Sequence, residues 1–226
     1  MSNLYIVGTP IGNLEDITLR AIRILGEVDF ILAEDTRVTR KLLNHFEIKT
    51  KVISFHEHSK EDSYENVLKL LLEGKNLALV TDAGTPGISD PGSKLVERVR
   101  NESPETKIIS IPGPSSVAAA ISISGLPVTN FYFAGFAPHK KGRQTFFQNI
   151  FKNLDEETAF VFFESPHRIL KALNSLNDFW PTKKIIIARE ITKIFEETLS
   201  GTPAELIELF NTFPEKIRGE FVVMVY

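Results

Sequence analysis

Apolar positions along this chain follow two periods that alternate. Short, mostly apolar runs at 4–7, 30–33, 52–55, 77–80 and 108–111 read as buried strands, most of them closed by glycine, proline or acidic residues. Between them, residues 18–25, 38–46, 64–72, 93–100 and 117–123 carry apolar side chains at helical spacing, which predicts helices with one buried face. This alternation predicts a mostly parallel sheet with helices on both faces. The pattern changes after about Gly125. Residues 131–133, 159–163, 185–188, 196–200 and 220–226 read as strands, and 145–151, 169–176 and 206–210 as helices. Strands now follow one another more often, which predicts a mixed sheet. Two α/β domains are therefore expected, at 1–114 and 115–226. The join near 112–116 lacks linker composition, so the halves should pack together around a cleft.

One connection dominates the first half: Val80-Thr81-Asp82-Ala83-Gly84-Thr85-Pro86-Gly87-Ile88-Ser89-Asp90-Pro91-Gly92. A strand-to-helix connection this long without regular structure is uncommon in a compact domain and is usually functional. Asp90-Pro91 reads as an N-cap followed by proline at the first helical position. Asp16 is expected to cap the first helix, with Leu19, Ile22 and Ile24 or Leu25 facing inward. Thr202-Pro203-Ala204-Glu205 has the form of a capping box.

Composition narrows the class. The 226 residues are 42% hydrophobic and 24% charged, which is ordinary for a globular protein. No apolar run reaches membrane length and no basic-then-apolar leader opens the chain, so a cytoplasmic protein is expected. Cysteine is absent, which removes disulfides and thiolate metal sites. A formal net charge of −3 means that any nucleic-acid contact must come from a local patch.

Candidate chemistry follows by elimination. Gly8-Thr9-Pro10-Ile11-Gly12 after the first strand superficially resembles a dinucleotide fingerprint, but Pro10 has no N–H to offer a pyrophosphate. No Walker lysine is present. His56-Glu57-His58 has no evident third ligand, so no metal site is expected. Nothing forms a nucleophile triad. Two basic clusters follow strand ends: Arg37, Arg40 and Lys41, and then His139, Lys140, Lys141 and Arg143. Each could be a solvated face, or both could form a phosphate-contacting rim. Glycine loops without a phosphate pattern suit a ligand held by shape and backbone, such as S-adenosylmethionine.

Five motifs occur in order: Val7-Gly8-Thr9-Pro10-Ile11-Gly12-Asn13-Leu14, Ala33-Glu34-Asp35-Thr36-Arg37, Asp82-Ala83-Gly84-Thr85-Pro86-Gly87-Ile88-Ser89-Asp90-Pro91-Gly92, Pro112-Gly113-Pro114-Ser115 and Glu164-Ser165-Pro166-His167-Arg168. Together they resemble the ribosomal RNA small-subunit methyltransferase I family, the ribose 2′-O-methylating branch of the tetrapyrrole methylase superfamily. The resemblance spans essentially the whole chain. It implies two α/β domains around an S-adenosylmethionine cleft, a homodimer, and methylation of a cytidine ribose in the RNA of the small ribosomal subunit. It implies cofactor contacts at Pro10, Ile11, Gly84, Thr85, Ile88, Ser115, Ser116 and Phe163, with weaker transfers at Ala188 and Gly219. Tetrapyrrole-modifying relatives commonly carry Gly-Asp-Pro where this chain has Gly84-Thr85-Pro86, a difference that favours the RNA branch.

Methyl transfer to a hydroxyl requires alignment and a proton acceptor. Asp35, Glu34 and Glu164 are the candidate bases, with Asp35 first. Arg37, Arg40, Lys140, Lys141, Arg143 and Arg168 are the candidate RNA contacts. A tetrapyrrole methyltransferase and a non-catalytic RNA-binding module remain as alternatives.

Overall fold

The structure, a computed structural model, describes residues 2–56, 59–127, 129–139, 142–153 and 157–226. It divides into two compact units, Met1–Ser115 and Ser116–Tyr226. The first contains β1 (Asn3–Val7), α1 (Leu19–Glu27), β2 (Phe30–Ala33), α2 (Thr36–His45), β3 (Lys51–Ser54), α3 (Glu61–Leu72), β4 (Leu77–Val80), α4 (Ser93–Glu102) and β5 (Lys107–Ile111). Its sheet runs β3-β2-β4-β1-β5, and every pair is parallel, as the alternating pattern predicts.

Side-chain alternation along the strands builds two cores. Val7, Ile31, Ala33, Ala78 and Val80 pack against Ala21, Ile24 and Leu25 of α1 and Leu42 and Leu43 of α2. Leu4, Leu32, Leu77 and Leu79 face the other way, toward Tyr64, Val67, Leu68 and Leu71 of α3 and Leu95 and Val99 of α4. Thus β4 sends its chain to a helix on one face. Its neighbours β2 and β1 send theirs to helices on the other. Where adjacent connections leave on opposite faces, a crevice opens at the carboxyl ends of the strands. The loops after β1, β4 and β5 meet there.

Three local expectations change. Thr18, rather than Asp16, caps α1, its hydroxyl accepting from the Ala21 amide at 3.1 Å; Asp16 belongs to a 3-10 turn over Leu14–Asp16. Leu19 is exposed, because the buried stripe of α1 is Ala21, Ile24 and Leu25. Asp90-Pro91 does not open α4. Gly92, at φ 141°, interrupts the helical path, and the Pro91 carbonyl instead accepts from the Gly87 amide at 3.2 Å.

The second unit holds α5 (Ser116–Ser124), β6 (Asn130–Phe136), α6 (Arg143–Asn153), β7 (Thr158–Glu164), α7 (Ile169–Phe179), β8 (Ile185–Arg189), β9 (Glu197–Gly201), α8 (Pro203–Thr212) and β10 (Phe221–Val225). Its sheet, β6-β7-β10-β8-β9, is mixed: β6 and β7 are parallel and the other pairs antiparallel. One face packs Phe160, Phe162, Phe221 and Val223 against Phe147 of α6, Leu173 of α7 and Phe210 of α8. The capping box of α8 forms as expected, with the Glu205 carboxylate accepting from the Thr202 amide at 2.7 Å.

Candidate functional site

Three loops of the first unit are tied together at the crevice. The Gly8 amide donates to the Ile111 carbonyl at 3.1 Å, which lays the loop after β1 against the loop after β5. A Cβ at Gly8 would fall 2.9 Å from Gly113 Cα, and one at Gly113 would fall 2.8 Å from the Gly8 oxygen. Only two glycines permit that approach. Thr9 and Gly84 then form an antiparallel bridge, with amide–carbonyl distances of 2.8 and 3.1 Å. The buried Thr9 hydroxyl donates to the Thr81 carbonyl at 3.2 Å, and the Thr85 hydroxyl to the Pro114 carbonyl at 3.2 Å.

Ile11, Gly84 and Thr85 therefore come together, with Pro10 and Ser115 beside them in the same loops. Gly84 is glycine chiefly for its backbone, at φ 83°; a Cβ there would meet the Ile11 methyl at an ordinary 3.5 Å. This rim presents hydroxyls, backbone groups and apolar side chains, with no cation among them. Such a donor set fits an uncharged adenosine better than a phosphate. Ile88 is exposed at the outer end of the loop. A pocket of about 660 Å³ opens beneath it on the α4 face, lined by Thr85, Ile88, Ile6, Val96, Ile108 and Ser110.

The remaining expected cofactor residues lie in the second unit. Ser116 begins α5 and Phe163 is half-buried near the end of β7. Ala188 is fully buried in mid-sheet, paired with Val222 and Thr198, and offers no surface to a ligand. Gly219, at φ 83°, is glycine because the Glu190 carboxyl occupies the place of its Cβ.

The candidate bases have unequal surroundings. Asp35 is the N-cap of α2: its carboxylate accepts from the Arg37 amide at 2.8 Å and pairs with the Arg37 guanidinium at 2.6 Å. Those hydrogen bonds hold its pKa down from 3.8 to about 2. A carboxylate so placed caps and pairs; it is a poor proton acceptor at neutral pH. Its own amide donates to the Asp82 carboxylate at 3.0 Å, joining the ends of β2 and β4. Glu164 is wholly buried between Arg143 at 2.6 Å and Arg168 at 2.9 Å, so it has no access to a substrate hydroxyl. Glu34 is half-buried immediately after β2.

The basic residues divide in the same way. Arg37 and Arg40 are exposed on α2. Arg143 and Arg168 are committed inward, to Glu164 and to the carbonyls of Pro138 and Ala137 respectively, and do not serve as surface phosphate contacts. A buried carboxylate demands compensation, and these two supply it. Lys140 and Lys141 lie outside the described residues, as do Glu57 and His58. Among the described residues no cluster of histidine and carboxylate side chains could hold a metal ion.

Sequence reasoning missed Thr9, Thr81, Asp82 and Pro114. Their roles are hydrogen bonds to partners as many as 75 residues away, and no local pattern announces such pairing.

The profile of the Tetrapyrrole (Corrin/Porphyrin) Methylases family matches residues 3–207. The chain is 45% identical over 225 residues to the ribosomal RNA small subunit methyltransferase I of Thermotoga maritima, covering 100% of this chain and 98% of that one. It is 45% identical over 226 residues to the protein of the same name from Vibrio cholerae, covering 99% and 76%. A cobalt precorrin-4 methyltransferase of cobalamin biosynthesis has a similar fold, with a TM-score of 0.69 at 18% identity over 99% of this chain and 94% of that one. The uroporphyrin-III C-methyltransferase of Thermus thermophilus aligns at a TM-score of 0.66 and 19% identity, covering 98% and 93%. At such identities these two structures speak for the fold alone.

Proposed function

The chain belongs to the tetrapyrrole methylase family, in its ribosomal RNA small subunit methyltransferase I branch, and on that premise we propose that it methylates the 2′-hydroxyl of a cytidine in small-subunit (16S) ribosomal RNA. The observation that carries this reading is identity of 45% along the full length of a relative of that name. The methyl donor is S-adenosylmethionine, whose sulfonium supplies an electrophilic methyl group when bound. Pro10, Ile11, Gly84, Thr85, Ile88 and Ser115 would hold it, through backbone and apolar contacts.

The protein's share of the chemistry is to bind, align and accept a proton. Aligning the hydroxyl oxygen with the methyl carbon can supply several kcal/mol of barrier reduction. Of the three candidate carboxylates we assign the proton-accepting role to Glu34, which is half-buried at the end of β2 beside the N-terminus of α2. Arg37 and Arg40, exposed together on α2, contact flanking phosphates. The substrate is small-subunit RNA, free or in the assembled subunit, and the protein works as a homodimer in the cytoplasm. No helix of the described residues is long and apolar enough to cross a membrane.

Thermal unfolding with added S-adenosylhomocysteine tests the cofactor site. At a hundred-fold excess over Kd, one site contributes about 2.7 kcal/mol of stabilisation. A melting temperature unmoved by the ligand would contradict the proposal.

A further inference from the structure

Strand β6 carries an exposed aromatic face. Phe131 pairs with Ala159, Phe133 with Val161 and Phe136 with Phe163, so all three phenylalanines share one face of the sheet. Strict alternation would send Phe136 to the opposite face, with Tyr132. A bulge at Ala134-Gly135 adds the residue that returns it, and Gly135, at φ 65°, takes the left-handed conformation the bulge needs. Phe131 and Phe136 are 50% and 55% exposed. Phe163 braces the group from β7, its ring centroid 4.9 Å from Phe133 and 5.2 Å from Phe136. The bulge thus turns an aromatic ring outward on an edge strand, where exposed apolar surface invites aggregation unless a partner covers it.

Charge identifies the partner. No aspartate or glutamate occurs between Glu105 and Asp155, although the chain has 29 acidic residues. The charged side chains in that interval are all basic: Lys107, Lys140, Lys141, Arg143 and Lys152. Helix α5, which lies against β8 and β10, has no charge of either sign. The one carboxylate on β7, Glu164, is enclosed by two arginines. An aromatic platform carried on an acid-free stretch of chain matches a polyanion whose units carry π-faces, which is single-stranded nucleic acid.

We propose that Phe131, Phe133 and Phe136 stack bases of single-stranded RNA flanking the methylated nucleotide. The proposal rests on the RNA-methyltransferase reading above and adds where, and by what chemistry, bases are gripped. Stacking is tolerant of sequence, so the platform supplies affinity and register while the active site selects the nucleotide.

The test compares wild type with Phe131→Ala/Phe136→Ala and with Phe136→Leu, which keeps an apolar side chain and loses the aromatic face. Fluorescence anisotropy measures binding of a labelled single-stranded fragment of small-subunit RNA at several salt concentrations. Calorimetry measures S-adenosylhomocysteine. The double variant should bind RNA roughly ten- to a hundred-fold more weakly, and the leucine variant should bind it more weakly than wild type, at an unchanged salt slope because every cation is retained. Cofactor affinity should stay at the wild-type value. RNA affinity within two-fold of wild type for the double variant overturns the platform. So does loss of self-association with RNA affinity retained, which would make the face a contact between two copies. Loss of S-adenosylhomocysteine binding with RNA affinity retained would assign it to the cofactor and likewise overturn the proposal. Failure of wild type itself to bind or methylate RNA would remove the functional reading and the platform together, whereas an active wild type with tight-binding variants removes the platform alone.

Discussion

Gly113 shows how much one missing methylene decides. Its Cβ would fall 2.8 Å from the Gly8 oxygen, a backbone atom that cannot swing aside as a flexible side chain could. Gly113→Ala should therefore lower stability by about 1–3 kcal/mol, read as a reduced denaturant midpoint at constant slope. A wild-type midpoint would mean that the loops after β1 and β5 are not held as described. Asp35 makes a pH-dependent prediction. Its folded pKa, about 2, lies below its ordinary 3.8, so its contribution to stability is fully present above pH 3.8 and is lost as pH falls through about 2. Asp35→Asn should flatten that part of the acid limb in melting temperatures taken against pH. It should also leave turnover within about ten-fold of wild type, whereas Glu34→Gln should lose about 10²–10⁴ in kcat with both affinities kept. A collapse of turnover in Asp35→Asn alone would return the base to Asp35. Both carboxylates were legible as strand-end acids. What the sequence could not supply was the capping and pairing of Asp35, which hold its carboxyl well below the usual carboxylate range.

At the scale of elements, Glu164 joins three of them. It ends β7, receives Arg143 from the first residue of α6 and receives Arg168 from the residue before α7. Glu164→Gln leaves two largely buried guanidinium groups without their anion and should cost roughly 3–5 kcal/mol of stability. Urea unfolding measures this, and a loss below about 1 kcal/mol would show the triad to be open to solvent. Periodicity located every strand and helix of the sheets, because long amphipathic segments carry their own signal. Their ends were less legible. The first helix is capped by Thr18, two residues after the acid expected there, since a cap depends on where the chain turns and several polar residues nearby could serve. Strand β6 runs on to Phe136, three residues beyond the expected end, because its bulge breaks the two-residue period by which a strand is recognised.

For the molecule as a whole, a parallel sheet in one unit and a mixed sheet in the other were readable from the changing rhythm of strands and helices. The crevice was readable only in part. Its glycines and prolines stand out in the sequence, but the strand order that brings the loops after β1, β4 and β5 side by side is a property of the folded sheet. Electrostatics also belongs to this scale. A chain of net charge −3 can hold RNA only through local patches, and the patch proposed on α2 is Arg37 with Arg40, both exposed. Replacing both by alanine should reduce the dependence of log K on log salt by about 0.7 for each phosphate no longer neutralised, with S-adenosylhomocysteine affinity unchanged. A slope equal to that of wild type would remove α2 from the RNA surface. The reaction proposed for the whole molecule is methyl transfer to a ribose. Its most direct measurement incubates the protein with small ribosomal subunits and S-adenosylmethionine labelled in the methyl group, then digests the RNA to nucleosides. Label should appear in 2′-O-methylcytidine from small-subunit RNA; label on a base, or none in RNA while a tetrapyrrole acceptor is methylated, would overturn the assignment of a ribose methyltransferase.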